Sequence, residues 1–279
     1  MRKNAQLAGV ARMPAQLLRW LTAAVLAPLL VVLILLGPRW LFVLLLVVTV
    51  AVALREYFRM ISPEAGARGW FWTAVGSALP LCFALGGPRE VLAAVALGTV
   101  VFCVVFVLKG DVRPSILDIL GRELTGPAYV ALLLSYFVWL RDLGSGRQWV
   151  LFVMTVAFAQ DTGAYYAGRT IGGRRLCPTL SPGKTVAGAV GGLAAAVVVA
   201  YAAGRFFLTP RLDLGSILAL GLLIGGGGQM GDLFESLVKR ASGVKDSGRL
   251  LPGHGGLLDR IDSLIFSAPL VYYFISFRL

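Results

Sequence analysis

The sequence predicts an all-α, polytopic integral membrane protein, and three observations support this fold class. Of the 279 residues, 58% are hydrophobic, and the mean hydropathy is +0.81. Only 14% are charged, whereas soluble domains average about 25%. Apolar runs such as residues 41–48 lack the alternation of apolar and polar residues that a transmembrane β-barrel requires. Because backbone groups inside a bilayer must be hydrogen-bonded within the protein, the spans are expected to be helices.

Nine apolar windows have about the length of one bilayer crossing, near 20 residues. They are residues 20–37, 40–58, 70–86, 90–108, 125–141, 148–167, 186–208, 214–235 and 263–278. Residues 1–19 form a basic lead, and no small-x-small cleavage site follows the first window, so we expect an uncleaved first span. Close helix packing is expected at the glycines of the later windows, namely Gly188, Gly191, Gly192 and Gly225–Gly228.

The distribution of basic residues predicts the orientation in the membrane. With a cytoplasmic N-terminus, 19 of the 26 Lys and Arg residues fall on the cytoplasmic side and 7 on the other. Nine spans then place the C-terminus outside. A net charge of +12 is also common in nucleic-acid-binding proteins. In so apolar a chain we interpret it instead as a topology signal and as contacts with anionic lipid headgroups.

The chain is expected to form one domain, residues 1–279, because no linker or low-complexity tract divides it. Residues 1–150 are expected to supply scaffold helices. Residues 151–279 are expected to supply the catalytic helices and their cytoplasmic loops, since the chemistry-bearing residues are concentrated there.

Several familiar site motifs are missing from the sequence. The Gly-Lys-Thr at residues 183–185 is not a Walker A motif, because Pro178 occupies the position of its first glycine. Cys82, Cys103 and Cys177 lack metal-ligand spacing. No Ser/His/Asp triad, zinc motif or Rossmann fingerprint is present. Phosphoryl and nucleotidyl transfer, which need positioning and charge neutralisation more than a protein nucleophile, fit this pattern.

One polar stretch, residues 231–262, contrasts with the apolar remainder of the chain. It holds four Asp residues, five Lys or Arg residues and the only His. Charged groups beside membrane-length segments are unfavourable unless they are paired, hydrated or bound to an ion. We therefore interpret this stretch as the functional part of the molecule.

The stretch begins with five polar residues that share one face of a helix. They follow the spacing i, i+3, i+4, i+7 and i+8, and they are Asp232, Glu235, Ser236, Lys239 and Arg240. The alternative is a solvated helix end whose long basic side chains extend toward the headgroups. The short acidic side chains disfavour it, because they need a cation or a basic partner.

A second pair of carboxylates precedes the last span. Asp259 and Asp262 are spaced i, i+3, so they lie on one helix face. Two helix ends that carry carboxylates on one side of the membrane can bind a divalent cation, and oxygen ligands favour Mg²⁺. Salt bridges from Asp259 or Asp262 to Arg260 or Arg240 are an equally good explanation of the spacing alone.

The segment between these helices has the composition of a phosphate-binding loop. Lys245, Asp246 and Arg249 precede the run Pro252-Gly-His254-Gly-Gly256. Glycine allows backbone N–H groups to approach an anion, and the basic residues supply charge. His254 taken alone is more typical of a hydrogen-bonded structural residue, but its glycine-rich setting favours a substrate contact.

An earlier polar segment runs from Asp161 to Arg169 and continues at Ser181-Pro-Gly-Lys184-Thr185. Asp161 falls within an apolar window, and a carboxylate inside a membrane is a functional candidate by default. A hydrogen bond from a Tyr or Thr side chain to Asp161 is the structural alternative.

The polar segments together resemble a known family, the phosphatidate cytidylyltransferases (CDP-diacylglycerol synthases). The signature-like run extends from Ser236 through Lys239-Arg240, Lys245-Asp246, Pro252-x-His254-Gly-Gly and Asp259-Arg-Ile-Asp262. The Asp161–Tyr166 and Ser181–Gly188 blocks are similar to the family's in the same order. The resemblance covers about residues 158–262, and residues 1–150 match only in hydropathy. One departure is Ala187, where the family often has Glu.

The resemblance implies transfer of a cytidylyl group from CTP to phosphatidic acid, with Mg²⁺ as cofactor and a second cation as an open alternative. The implied metal ligands are Asp232, Asp259 and Asp262. The implied catalytic residues are Asp232, Asp246, Asp259, Lys239, Arg240 and His254. The implied substrate-binding residues are Lys184, Ser181, Asp161, Lys245, Arg260 and Ser236. The resemblance also suggests a homodimer with contacts from the N-terminal helices, and the bacterial cytoplasmic (inner) membrane with the active site facing the cytoplasm.

Two other function classes remain as alternatives. A transporter of organic anions would show internal repeats and broken helices near the midplane of the membrane. Another membrane enzyme that acts on phosphorylated lipids would share the same charges and would be separated by a panel of substrates. A structural protein is disfavoured, because buried carboxylates cost stability.

Overall fold

The computed structural model describes residues 15–109, 114–206, 208, 212–248, 250 and 255–278, and most of them are helical. The α-helices are α1 Ala15–Leu36, α2 Arg39–Ile61, α3 Gly66–Ser77, α4 Leu79–Leu85, α5 Pro88–Lys109, α6 Ile116–Gly126, α7 Leu133–Asp142, α8 Gly146–Thr170, α9 Val186–Phe206, α10 Leu214–Ala241 and α11 Leu258–Arg278. A 3₁₀ turn, Pro63–Ala65, precedes α3, and a π-helix, Pro127–Leu132, joins α6 to α7.

Within the described residues, the predicted apolar windows lie on helix except at a few end and turn positions, so the all-α, multi-pass membrane class is confirmed. Within the described residues, five helical segments are long and apolar enough to cross a membrane: Arg39–Ile61, Pro88–Leu108, Ile116–Asp142, Val186–Phe206 and Leu214–Ala241. The window at 70–86 is divided between α3 and α4. Polar side chains make α8 and α11 less apolar. The count of nine spans and the orientation of the termini therefore stay predictions.

A short β-hairpin between α8 and α9 was not expected from the sequence. Strand β1, Arg175–Cys177, pairs antiparallel with β2, Ser181–Thr185. Gly172 and Gly173 end the α8 segment with positive φ angles of 66° and 89°, a conformation that glycine adopts without a steric penalty. The hairpin carries Lys184 back toward the ends of the helices.

Helix boundaries follow local sequence signals. Pro38 precedes α2, and the pair Gly86-Gly87 separates α4 from α5. Asp213 caps the N-terminus of α10: its carboxylate accepts hydrogen bonds from the backbone N of Ser216 at 3.0 Å and from Ser216 Oγ at 2.5 Å. These hydrogen bonds lower the pKa of Asp213 below its usual value.

The C-terminal helices pack closely because small residues face one another, as predicted for each of the named glycines except Gly226, where an added Cβ atom would meet nothing within 4 Å. A Cβ atom on Gly192 of α9 would lie 2.9 Å from Ala164 Cβ and 2.9 Å from the carbonyl oxygen of Gln160, both on α8. Gly225 of α10 lies in the same way against Ala196 of α9. Missing side chains allow helix backbones in a membrane to approach one another. Helices α8, α9, α10 and α11 therefore meet closely enough for short acidic side chains to share one space.

The N-terminal helices pack around α2, and their buried residues are continuous with those of the C-terminal helices. Tyr57 and Phe58 are almost fully buried. Glu123 of α6 is 1% exposed, pairs with Arg68 of α3, and accepts a hydrogen bond from Trp72 Nε1 at 2.7 Å. Such a buried charge is tolerated because it has both an ionic and a hydrogen-bonding partner.

The substitution Gly192→Val should destabilise the contact between α8 and α9. The added side chain would overlap backbone and side-chain atoms of α8, and overpacking typically costs about 1–3 kcal/mol. We expect a lower thermal unfolding midpoint in detergent. Gly226→Val is the matched control, since a Cβ atom there would meet nothing within 4 Å. Equal midpoints for the two variants would contradict the packing described here.

Candidate functional site

A polar cavity of about 570 Å³ lies where α8, β2, α9, α10 and α11 meet. Its described lining includes six acidic and four basic side chains, so its formal charge is negative. The acidic residues are Asp161, Asp232, Glu235, Asp246, Asp259 and Asp262, and the basic residues are Arg169, Lys184, Lys239 and Arg260. Most of these ten charged residues belong to the polar segments described in the sequence analysis.

Three of the carboxylates form a compact group. Asp232 and Glu235 of α10 and Asp262 of α11 each offer an oxygen, and these oxygens lie within 4.8 Å of one another. Glu235 is 1% exposed and Asp262 is 8% exposed. Gly231 makes the group possible, because its missing side chain allows the backbone of α10 to lie against the carbonyl oxygen of Asp262. Carboxylates this close are stable only if a cation compensates their charge or one of them is protonated.

Two lysines supply part of that compensation. Lys239 Nζ lies 2.5 Å from Glu235 Oε2 and 2.8 Å from Asp259 Oδ1, so one ammonium group joins α10 to α11. Lys184 Nζ, on β2, lies 2.5 Å from Asp232 Oδ2. The hairpin is thereby attached to α10. Buried charges that are paired and hydrogen-bonded in this way can be accommodated away from water.

Asp259 has a different environment from the compact group. Its carboxylate accepts hydrogen bonds from Ser247 N at 3.0 Å, from Ser247 Oγ at 2.9 Å and from Gly256 N at 2.9 Å, besides the contact with Lys239. Both of its oxygens are therefore engaged by the protein. Among the described residues, the ion pair of Asp259 is with Lys239 and not with Arg240 or Arg260, the partners that the spacing suggested.

The remaining predicted site residues have three different outcomes. Asp161, Asp246 and Arg260 line the cavity, and Asp161 Oδ2 accepts a long hydrogen bond of 3.4 Å from Ser263 Oγ. Four others are absent from the described lining: Ser181, Ser236, Arg240 and Lys245. His254 lies outside the described residues.

Arg240 has a structural contact instead. Its Nε donates to the carbonyl oxygen of Leu180 at 3.2 Å, and its Nη1 donates to the carbonyl oxygen of Val244 at 3.3 Å. Arg240 therefore joins the turn of the β-hairpin to the end of α10, on the exposed side of that helix.

The sequence reading missed three features of the site. Glu235 was placed on the polar face but not among the metal ligands, although its i+3 spacing from Asp232 was a usable signal. Arg169 and Tyr165 both line the cavity, and Arg169 Nη1 donates to Tyr165 Oη at 2.8 Å. Glu56, on α2, accepts hydrogen bonds from the first turn of α11. A carboxylate near the end of an apolar helix was the only signal for Glu56.

Comparison with known proteins agrees with this geometry. A family model described as the cytidylyltransferase family matches residues 17–278. The chain belongs to this family. It is therefore an enzyme of the nucleotidyltransferase class.

Some relatives of the chain carry a more specific name, and one relative is uncharacterised. A phosphatidate cytidylyltransferase of Synechocystis is 36% identical over 264 residues, which cover 85% of this chain and 88% of the relative. A phosphatidate cytidylyltransferase of Bacillus subtilis is 39% identical over 162 residues, 57% of this chain and 59% of the relative. The uncharacterised protein YnbB of Escherichia coli K12 is 38% identical over 251 residues, 86% of this chain and 81% of the relative.

The substitution Lys239→Met should destabilise the protein strongly. Methionine has a similar length but no charge, so Glu235 and Asp259 would lose the cation that both contact. Removing one partner of a buried ion pair typically costs about 3–5 kcal/mol. We expect a large fall in the thermal unfolding midpoint in detergent micelles.

Lys245→Met is the control for this experiment, because Lys245 is exposed and lies off the cavity. Its midpoint should stay close to that of the wild type. If Lys239→Met were equally harmless, Lys239 would not be the link between α10 and α11.

Proposed function

We propose that this enzyme transfers the cytidylyl group of CTP to phosphatidic acid and produces CDP-diacylglycerol and pyrophosphate. The observation that carries the proposal is the cavity itself, in which carboxylates and basic groups from apolar helices converge on one polar space. The names of the Synechocystis and Bacillus subtilis relatives point to the same substrates. The reaction would take place in phospholipid biosynthesis at the bacterial cytoplasmic membrane, with the cavity facing the cytoplasm.

The compact carboxylate group fits a divalent cation. Its three members offer only oxygen ligands, which suit Mg²⁺. Glu235 Oε1 is buried and has no hydrogen-bond partner within the described part of the chain, and such an orphan acceptor is costly unless a cation or donor meets it. A cavity with more acidic than basic groups also needs added positive charge before it can take a triphosphate.

We therefore propose Asp232, Glu235 and Asp262 as the Mg²⁺ ligands. Glu235 replaces Asp259 in the set inferred from the resemblance, because hydrogen bonds engage both oxygens of Asp259. When bound, Mg²⁺ would supply positive charge that neutralises phosphate oxygens and withdraws electron density from them.

The basic residues of the cavity would bind and orient the two anionic substrates. Lys184, Arg169 and Arg260 would donate hydrogen bonds to phosphate oxygens, and arginine can make two such bonds at once. Lys239 contacts one carboxylate on α10 and one on α11, so it would keep these two helices in fixed positions beside the cavity. In nucleotidyl transfer this positioning and charge neutralisation supply most of the catalysis.

The reaction needs no nucleophile from the protein. A phosphate oxygen of phosphatidic acid, already an anion at neutral pH, would attack the α-phosphorus of CTP in line. One oxygen–phosphorus bond would form, the bond from the α-phosphorus to its bridging oxygen would break, and pyrophosphate would leave. The apolar helices would let the acyl chains remain in the bilayer while the headgroup reaches the cavity.

The decisive test is release of pyrophosphate by the purified protein in detergent, with CTP, Mg²⁺ and phosphatidic acid, each omitted in turn. We expect release only when all three are present, together with formation of a cytidylylated lipid. Release with another phosphorylated lipid but not with phosphatidic acid would redirect the proposal to a related transferase. A folded sample that releases none with any nucleotide would contradict the proposed reaction.

The proposed metal ligands can be tested with isosteric variants. Asp232→Asn and Asp262→Asn should each reduce turnover by at least about 100-fold, a loss typical of removing one electrostatic contact in an active site. Both should also weaken the binding of Mn²⁺, used as a spectroscopic probe of the cation site.

Asp118→Asn is the matched control, since Asp118 is exposed on α6 and lies off the cavity. Its turnover and Mn²⁺ affinity should equal those of the wild type. Near-normal activity in Asp232→Asn or Asp262→Asn would remove that residue from the ligand set.

A further inference from the structure

We propose that Glu56 is a positioning residue for the cavity, although it lies on α2 and does not line the cavity itself. Through hydrogen bonds it would hold the start of α11, which carries Asp259 and Arg260, and it also lies beside Ser247, the neighbour of Asp246. The inference rests on the proposed function for the reaction it affects, while the contacts that support it are independent of that function.

The carboxylate of Glu56 is bound to the beginning of α11. Glu56 Oε1 accepts a hydrogen bond from Leu257 N at 3.0 Å, and Glu56 Oε2 accepts one from Leu258 N at 2.9 Å. These N–H groups belong to the start of a helix, where no intrahelical acceptor is available and where the helix dipole favours a negative charge. Glu56 is only 6% exposed, so solvent competes little for these bonds.

Ser247 links Glu56 to the cavity. Its Oγ lies 2.9 Å from Asp259 Oδ2 and 3.4 Å from Glu56 Oε2. A hydroxyl carries one hydrogen, so the shorter contact to Asp259 is the stronger one. Asp259 in turn contacts Lys239. A chain of direct contacts therefore runs from α2 through Ser247 and Asp259 to the ammonium group that joins α10 and α11.

Two glycines, Gly248 and Gly256, leave room for the Glu56 carboxylate near the start of α11. A Cβ atom on Gly256 would be 2.6 Å from Glu56 Oε2, and one on Gly248 would be 2.8 Å from Glu56 Cδ. A side chain at Gly248 would displace the Glu56 carboxylate, and one at Gly256 would displace both that carboxylate and the hydroxyl of Ser247. Both glycines belong to the run that resembles the family signature, so part of that run is shaped to receive a side chain from another helix.

Because of this arrangement, loss of Glu56 should affect the reaction as well as the stability of the fold. If its carboxylate no longer held Leu257 and Leu258, the first turn of α11 could shift, and Asp259 and Arg260 lie in that turn. A misplacement of about 1 Å in groups that position a substrate can cost on the order of 100-fold in rate. Loss of Glu56 should therefore lower kcat per folded molecule, which a loss of stability alone would not do.

The test uses Glu56→Gln in the full-length protein. Glutamine has the same shape but presents an NH₂ group, a donor, to one of the two N–H groups. We expect faster hydrogen–deuterium exchange confined to residues 255–262, a kcat per folded molecule on the order of 100-fold lower, and a fall in the thermal midpoint no larger than that of Glu123→Gln. Glu56→Asp keeps the carboxylate, so it should recover part of both losses and also serves if Glu56→Gln does not fold.

Glu123→Gln is the matched control, because Glu123 is another buried glutamate of the N-terminal helices and, in the described part of the chain, its partners are Arg68 and Trp72 of α3. It should lower the thermal midpoint without changing kcat per folded molecule or the exchange of residues 255–262. If Glu56→Gln behaved in this way instead, Glu56 would be a structural residue only and the proposal would be wrong.

The outcome can be separated from the outcome for the proposed function. If the wild-type protein turns over no CTP, the proposed function fails, and the exchange experiment alone then decides whether Glu56 positions the segment. Unchanged exchange at residues 255–262 in Glu56→Gln would overturn the positioning role in either case.

Discussion

The ammonium group of Lys239 is the interaction on which the rest of the site depends. It contacts Glu235 on its own helix and Asp259 on the next one. Without it, two buried carboxylates would face each other in a region of low dielectric, where the desolvation penalty is large. Because this contact fixes the end of α10 against the start of α11, it also brings Asp262, one turn after Asp259, to the carboxylates of α10.

Close helix packing makes this electrostatic arrangement geometrically possible. Aspartate has a short side chain, so carboxylates from two helices can meet only if the helix backbones approach one another. Gly231 provides that approach where α10 lies against Asp262, and Gly192 provides it where α9 lies against α8. The glycines that look like packing residues are therefore also a condition for the chemistry of the cavity.

The sequence predicted the membrane class, the helical windows and the charged face of α10, because these depend on hydropathy and on local periodicity. It did not separate Asp259 from Asp262. Their i, i+3 spacing places both on one helix face. In the structure, however, the backbone N–H of Gly256 and the side chain of Ser247 donate hydrogen bonds to Asp259. Helical periodicity does not predict contacts of this kind, because they come from residues outside the helix. The β-hairpin that carries Lys184 was missed for a related reason, since five residues with Pro and Gly have no strand pattern.

Glu56 shows that a sequence motif alone does not reveal all the contacts of its residues. The motif-like run contains the glycines and the N–H groups, whereas their acceptor lies 202 residues earlier than Leu258. A glycine in such a run looks like a flexible turn or an anion-binding position, yet here the nearby anion is a side chain of the same protein. The first turn of α11 is therefore held from one side by Glu56 and from the other by Lys239 through Asp259. Because the two attachments belong to different helices, the N-terminal half of the chain takes part in shaping the cavity and is more than a membrane anchor.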